Sequence, residues 1–303
     1  MALSQLICGL LGAATLFAAN PFVGRWNFTH PVRASALSIT EKDGKLEVWC
    51  QPTGGNVFLL KDVKQSGNHL TLGIFAASER RPAMVWELEA KGGKLVGMQT
   101  RGSETLPLEG VPAPKLNRPM PKKWTAPEAL FNGRDLTGWE PMGDPSKSHW
   151  TVKDGLLVNA EHGANLRTTR TFDDFKLHFE VLCPDHANSG FYLRGRYEVQ
   201  LEYEPLSANP PERRIGSIYG RIAPEGDVAR TPGQWETFDV ALVGRTLTVV
   251  RNGVVTIKGK EIEGITGGAL NGNEAEPGPF YIQGDHTGGL KFRNITISVP
   301  ASK

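Results

Sequence analysis

The stretch His186–Glu204, HANSGFYLRGRYEVQLEYE, decides the fold. Its apolar residues fall at Phe191, Leu193, Val199, Leu201 and Tyr203. That spacing has period two, which marks strands with one buried face rather than a helix. The interleaved residues Tyr192, Arg194, Glu198, Gln200 and Glu202 must then share the opposite face. A turn is needed near Gly195-Arg196-Tyr197, and the pattern constrains it. A two-residue loop would set Arg194 against Tyr197 and carry Glu198 to the core face. A three-residue loop sets Arg194 against Glu198 and keeps both apolar sets inside. One sheet face thus carries arginine, carboxylates, glutamine and tyrosine on neighbouring strands. An ordinary solvated face favours Lys, Thr and Ser, and a cross-strand Arg–Glu pair there contributes less than ~1 kcal/mol. The observed set suits a sugar, whose hydroxyls both donate and accept.

The 303 residues leave room for two domains and a sizeable core. A net charge of +2 offers no field for nucleic acid or an anionic membrane. With 35 Gly and 21 Pro, and no long amphipathic helical window, the chain reads as many short strands joined by turns. It is therefore expected to be all-β.

The opening MALSQLICGLLGAATLFAAN is an apolar run ending in small residues. Residues 1–19 are read as a secretory signal peptide, so the mature protein is expected to be periplasmic or secreted. The run is too short for a membrane span, and no stable membrane anchor is expected. Cys50 and Cys183 fall in different domains, which argues against a disulfide framework. With no CxxC or HExxH pattern, a zinc site has no sequence support; no cofactor is predicted, and a requirement for a divalent metal stays open.

Residues 20–110 alternate short strands such as LEVWC, HLTLGIF and MVWELEA with Gly-, Asp- and Asn-containing turns. They are expected to form a small antiparallel β-barrel-like domain. Residues 111–127, VPAPKLNRPMPKKWTAP, carry five prolines and read as a linker or surface strap. From 128 to 303 the strand signals resume. FKLHFEVLC alternates cleanly, Asn252-Gly253 marks a hairpin, and PFYIQGDHTGGLKFRNITISV closes the chain. About ten strands there fit a two-sheet sandwich of jelly-roll type.

Ordered motifs in this half carry a family likeness. They are LFNGRDLTGWE (130–140), WTVKDGLLV (150–158), NSGFYLRGRYEVQLEYE (188–204), GSIYG (216–220), WETFDV (235–240), RNGV (251–254) and FYIQGDHTGGLKFRNITI (280–297). Together they resemble the 3-keto-disaccharide hydrolase family over about 129–300. The resemblance implies a concanavalin A-like sandwich and cleavage of glycosides whose C3 hydroxyl has already been oxidised. It also implies an oxidoreductase acting upstream. Glu202-Tyr203 departs from the family's usual pattern at the end of the central strand, which leaves substrate choice open.

A C3 ketone acidifies the C2 hydrogen and makes the C1 oxygen a β leaving group. Cleavage by proton abstraction, elimination and hydration needs a base, a donor for the enolate oxygen, and an acid. Glu198 is the candidate base and Arg194 the candidate enolate stabiliser. His286 is the candidate acid, because imidazole titrates near neutral pH. Gln283 shares the polar face by parity with Ile282, and Asp285-His286 stand at that strand's end. Asn188, Tyr192, Gln200, Glu202 and Gln283 are the candidate substrate-binding residues. His286 could equally be a turn residue, and Asn188 could simply shape its turn. Trp139, Trp150 and Trp235 could stack on a sugar, but such residues are more often part of the core. Arg293 reads as half of a structural ion pair.

Two alternatives stay open. Glu198-Val-Gln-Leu-Glu202 resembles the Glu-x-Asp-x-Glu pattern of retaining sandwich glucanases, but Gln200 replaces the middle acid. A carbohydrate-binding module without chemistry also needs only a polar face. Fold alone cannot separate these readings.

Overall fold

The computed structural model describes residues 20–31, 33–207, 209–226 and 228–301. The expected signal peptide, residues 1–19, lies outside the described residues. No helix among those described is long and apolar enough to cross a membrane. The chain is all-β, as its alternating patterns predict; helix is confined to two 3-10 turns, Pro145–Lys147 and Pro211–Arg213.

The first nine strands, Gly24–Thr29 through Glu104–Pro112, form one antiparallel sheet. Its first strand pairs with both the second and the ninth, with Trp26 opposite Leu37 on one side and Pro112 on the other. The two edge strands of the sheet are Phe58–Leu59 and Asp62–Ser66, which follow each other in sequence. With only residues 60–61 between them, the sheet must curl until its edges nearly meet. The side chains of Phe28, Leu37, Val48, Leu72, Trp86 and Leu95 fill the interior.

Residues 113–123 carry no regular structure and run along the sandwich. Leu116 is buried, and its carbonyl accepts the Arg245 N–H.

The second half is a β-sandwich. Its larger sheet orders the strands Trp150–Lys153, Leu156–Asn159, Lys291–Ser298, Phe175–Leu182, Trp235–Val243, Thr246–Arg251 and Val254–Glu261, with Glu128–Ala129 pairing on Lys291–Ser298. The smaller orders Trp139–Pro141, Leu166–Thr168, Tyr281–Ile282, Asn188–Leu193 and Tyr197–Glu202. Alternation produces the core. Phe175, Leu177, Phe179 and Val181 point inward from one sheet, and Phe191, Leu193, Val199 and Leu201 from the other. Phe179 stacks on Phe191 with ring centroids 4.6 Å apart, which joins the two sheets at their centre.

Trp139 and Trp150 are core residues, as expected, but Trp235 is only partly buried and lies outside the core. Arg293 makes an ion pair with Glu180 at 2.7 Å and lies over the Trp235 ring. Cys50 and Cys183 are buried in separate cores as free thiols.

Candidate functional site

The hairpin that organises the sandwich turns one residue earlier than its pattern suggests. Leu193 pairs with Tyr197 and Tyr192 with Glu198, so the three loop residues are Arg194, Gly195 and Arg196. Arg194 and Gly195 both take positive φ, 51° and 67°, and the Arg196 N–H closes the turn on the Leu193 carbonyl. Positive φ at both central residues is that of a primed turn over Leu193–Arg196, set here inside a three-residue loop. Face parity survives, because the loop keeps three residues and each cross-strand partner shifts by two, which leaves every strand side chain on its expected side.

This register corrects the expected place of Arg194. It does not lie opposite Glu198, since it has left the strand. Its guanidinium is fully buried, donating to Asp173 Oδ1 at 3.0 Å, Gly244 O at 2.7 Å and Tyr197 Oη at 3.3 Å. Those partners tie the turn to neighbouring loops, away from the polar face.

The polar face of the smaller sheet is itself covered. Tyr192, Glu198, Gln200 and Glu202 are all buried, so the face is no solvated surface. Above it lies a cavity of about 410 Å³ whose lining includes Asn188, Tyr192, Glu198, Gln200, Gln283 and His286. Six of the eight residues singled out from the sequence therefore meet in one place. Arg194 and Glu202 do not. Glu202 accepts from the Glu204 N–H and from Asn209 Nδ2, and borders a different depression. It has the correct parity, but the segment after the strand folds over its end and consumes the carboxylate.

Glu198 is at the centre of the cavity's chemistry. Its side chain crosses the neighbouring strand at Gly190, where an added Cβ would lie 2.2 Å from Oε1. Its Oε2 is 2.7 Å from the Tyr192 hydroxyl oxygen. That oxygen is also 2.6 Å from the Gly267 carbonyl and receives the Gln283 amide at 3.1 Å. A phenol oxygen donates once and accepts twice. All three contacts are satisfied together when Glu198 carries a proton and donates it to Tyr192, which donates onward to Gly267. Burial supplies the reason, pushing the Glu198 carboxyl up to about 8 against the opposing pull of Tyr192. Burial and the Glu198 charge hold the Tyr192 hydroxyl well above its ordinary value, so it keeps its proton.

Tyr281 stacks on Tyr192 at 3.9 Å and donates to the Gly268 carbonyl at 2.8 Å. Gly268 has φ +86°, and a Cβ there would come within 2.5 Å of the Tyr192 oxygen. Only glycine brings the backbone this close.

At the rim, His286 Nδ1 is 3.0 Å from Asp285 Oδ1. Burial alone would raise the Asp285 carboxyl. The hydrogen bonds from His286 and Asn165, with the Arg33 charge, outweigh it and hold the group below its ordinary value. Gln200 Oε1 and Gln283 Oε1 are buried acceptors without a protein partner. In a cavity, such atoms are sites for a ligand's hydroxyl donors. Among the described residues no cluster of three or more metal-ligating side chains occurs.

Sequence reasoning missed Arg33, Thr53, Gly54, Gly55 and Tyr219, which also line the cavity. Tyr219 lies within the GSIYG motif and was within reach. Arg33 and residues 53–55 belong to the first domain, and no local pattern marks them.

Residues 126–298, more than half of the chain, match the family of the 3-keto-alpha-glucoside-1,2-lyase-like domain. The chain belongs to this family, which supports a glycoside-cleaving function. Among solved structures it is similar to a protein from Parabacteroides distasonis ATCC 8503 assigned to the glycosyl hydrolases. Identity is 27%, covering 60% of this chain and 93% of that one, with a TM-score of 0.49. It is also similar to domain 4 of AbnA, a GH43 extracellular arabinanase from Geobacillus stearothermophilus, solved with arabinotriose. There identity is 16%, covering 61% and 96%, with a TM-score of 0.39. Among curated proteins none matches the chain.

Proposed function

We propose that the protein cleaves 3-keto-glycosides by elimination across C1–C2, followed by hydration. Glu198 is the base. The C2–H bond breaks, its proton passes to Glu198, and its electron pair forms the enolate with charge on the C3 oxygen. The enolate collapses to an enone as the C1–O bond breaks, and the departing oxygen takes a proton from His286, which Asp285 orients. Water then adds across the C1–C2 double bond and restores a free 3-keto sugar. Asn188, Gln200 and Gln283 bind sugar hydroxyls.

The observation that carries this reading is the buried Glu198 carboxyl, held by Tyr192 in a cavity and pushed up to about 8. Its raised pKa makes the Glu198 carboxylate a stronger base than an ordinary one, which suits it to a carbon acid beside a ketone. The unpartnered glutamine oxygens and the family membership support the same substrate class. An oxidoreductase that forms the C3 ketone belongs upstream. A periplasmic or secreted location, resting on the apolar residues 1–19, is part of the same proposal.

The test is to offer a 3-keto-glycoside and its unoxidised parent side by side in heavy water. The expected outcome is release of aglycone from the ketone only, with deuterium at C2 of the product. Hydrolysis of both at comparable rates would favour a direct glycosidase. Binding without turnover of either would favour a carbohydrate-binding protein.

A further inference from the structure

The cavity is closed by two domains, and the first contributes a charge to it. Arg33 follows the strand Gly24–Thr29 and precedes Ala34–Lys42. Its guanidinium lines the cavity with Glu198 and His286. Nη1 donates to the Gly268 carbonyl at 3.3 Å, and Nη2 is 3.6 Å from Asp285 Oδ2. A guanidinium has five donors, and these contacts occupy two of its nitrogens loosely. Among the described residues Arg33 is the one arginine or lysine of the cavity wall, and its charge is felt by the Glu198 carboxyl.

The placement of Arg33 is built in. The Ala34 N–H donates to the Ala269 carbonyl at 2.9 Å, and the Gly268 N–H to the Thr53 carbonyl at 3.0 Å. Asn27 Nδ2 reaches the Gly272 carbonyl at 2.9 Å and Glu274 Oε1 at 2.8 Å, while the Gly272 N–H donates to Thr29 Oγ1. Gly267 lies so close to Gly55 that a Cβ would stand 2.3 Å from its carbonyl oxygen. Glu274 is fully buried and also accepts from Tyr197 at 2.6 Å. The barrel therefore clamps the segment 267–274 that presents its carbonyls to Tyr192 and Tyr281, and holds Arg33 at the mouth.

We infer that Arg33, supplied by the barrel domain, is the group that stabilises negative charge on the substrate's C3 oxygen. The barrel thereby completes an active site to whose wall the sandwich contributes no arginine or lysine. This rests on the elimination reading above and goes beyond it. It assigns the role to a residue outside 126–298, the span that defines the family. The bland alternative is an interdomain ion pair with Asp285. Exposed as it is, such a pair adds little to stability, and acting through Asp285 and His286 it would slow departure of the leaving group without slowing exchange at C2.

The test compares the full-length chain with Arg33→Met and Arg33→Lys, using a 3-keto-glycoside and, as an unreactive binder, its unoxidised parent. Arg33→Met should lower kcat on the ketone by roughly 10²–10³-fold, the usual worth of one oxyanion donor. Deuterium exchange at C2 should fall in parallel, and the parent's Kd should change less than about threefold. Arg33→Lys should restore part of the rate, since it returns charge without the planar fork. An unchanged kcat would overturn the inference. So would equal losses in affinity for ketone and parent, which would make Arg33 a general sugar contact. If the wild-type chain releases no aglycone, the elimination reading fails first. Calorimetric binding of the 3-keto-glycoside then decides the role of Arg33. Weakening by tenfold or more in Arg33→Met, with the parent unaffected, would still place the guanidinium at the C3 oxygen. Unchanged binding, or none in wild type, would overturn that too.

Discussion

Tyr192 and Glu198 face each other directly across the hairpin, with the phenol oxygen 2.7 Å from the carboxyl Oε2. Neither reaches bulk water freely, since both are buried beneath the barrel domain and the segment 267–268. The pair therefore titrates according to burial and hydrogen bonding rather than as surface groups.

The first prediction concerns pH. Glu198 ionises near 4.5 in an unfolded chain and near about 8 in the native one. The folded state binds the extra proton between those values. The contribution to stability is complete below 4.5 and is lost as pH rises through about 8. Chemical denaturation of wild type should show stability falling by on the order of a few kcal/mol over that window. Glu198→Gln should flatten the fall. With Glu198 as base, kcat/KM should rise with pH and level off above about 8. A profile that instead falls through this pH would make Glu198 the acid. Turnover by Glu198→Gln should be roughly 10²–10⁴-fold below wild type, the usual worth of a general base.

The second prediction concerns Gly190. A methyl group there would lie 2.2 Å from Glu198 Oε1 and 2.7 Å from its Cγ. Gly190→Ala should push the carboxyl off Tyr192 at a cost of roughly 1–3 kcal/mol in overpacking. Activity should fall by about 10²-fold or more, because the base has moved by more than an ångström. Melting temperature and kcat measured on the same sample check both parts. A fully active Gly190→Ala would show that Glu198 need not sit where it does.

Arg194 provides the contrasting case. Its buried guanidinium makes three hydrogen bonds, none in the cavity. Arg194→Met should cost roughly 2–3 kcal/mol of stability, the scale of lost hydrogen bonds to a charged group. Its kcat per folded molecule should match wild type. Loss of turnover with an unchanged melting curve would put Arg194 back in the chemistry.

Much of the protein was legible in one dimension. Period-two spacing identified the strands, and the alternation of Phe191, Leu193, Val199 and Leu201 with Tyr192, Glu198 and Gln200 separated the core face from the cavity face. Parity is a local property of an extended backbone, so it survived even where the turn was misplaced by one residue. Whether Arg194 ended the strand or began the turn depended on its taking positive φ, which Asn or Gly would have signalled and arginine does not. Glu202 has the same parity as Glu198 but a different fate, because Glu204 and Asn209 hydrogen-bond to one and the cavity opens over the other. The elevated Glu198 carboxyl was invisible in the sequence, since it arises from burial by segments far along the chain. Arg33 is the extreme instance. It lies 165 positions before Glu198, in a domain with its own core, and only the packing of Ala34 on Ala269 and Thr53 on Gly268 brings it to the cavity. Local spacing determines which face a side chain takes; long-range packing determines what covers that face, and therefore its chemistry.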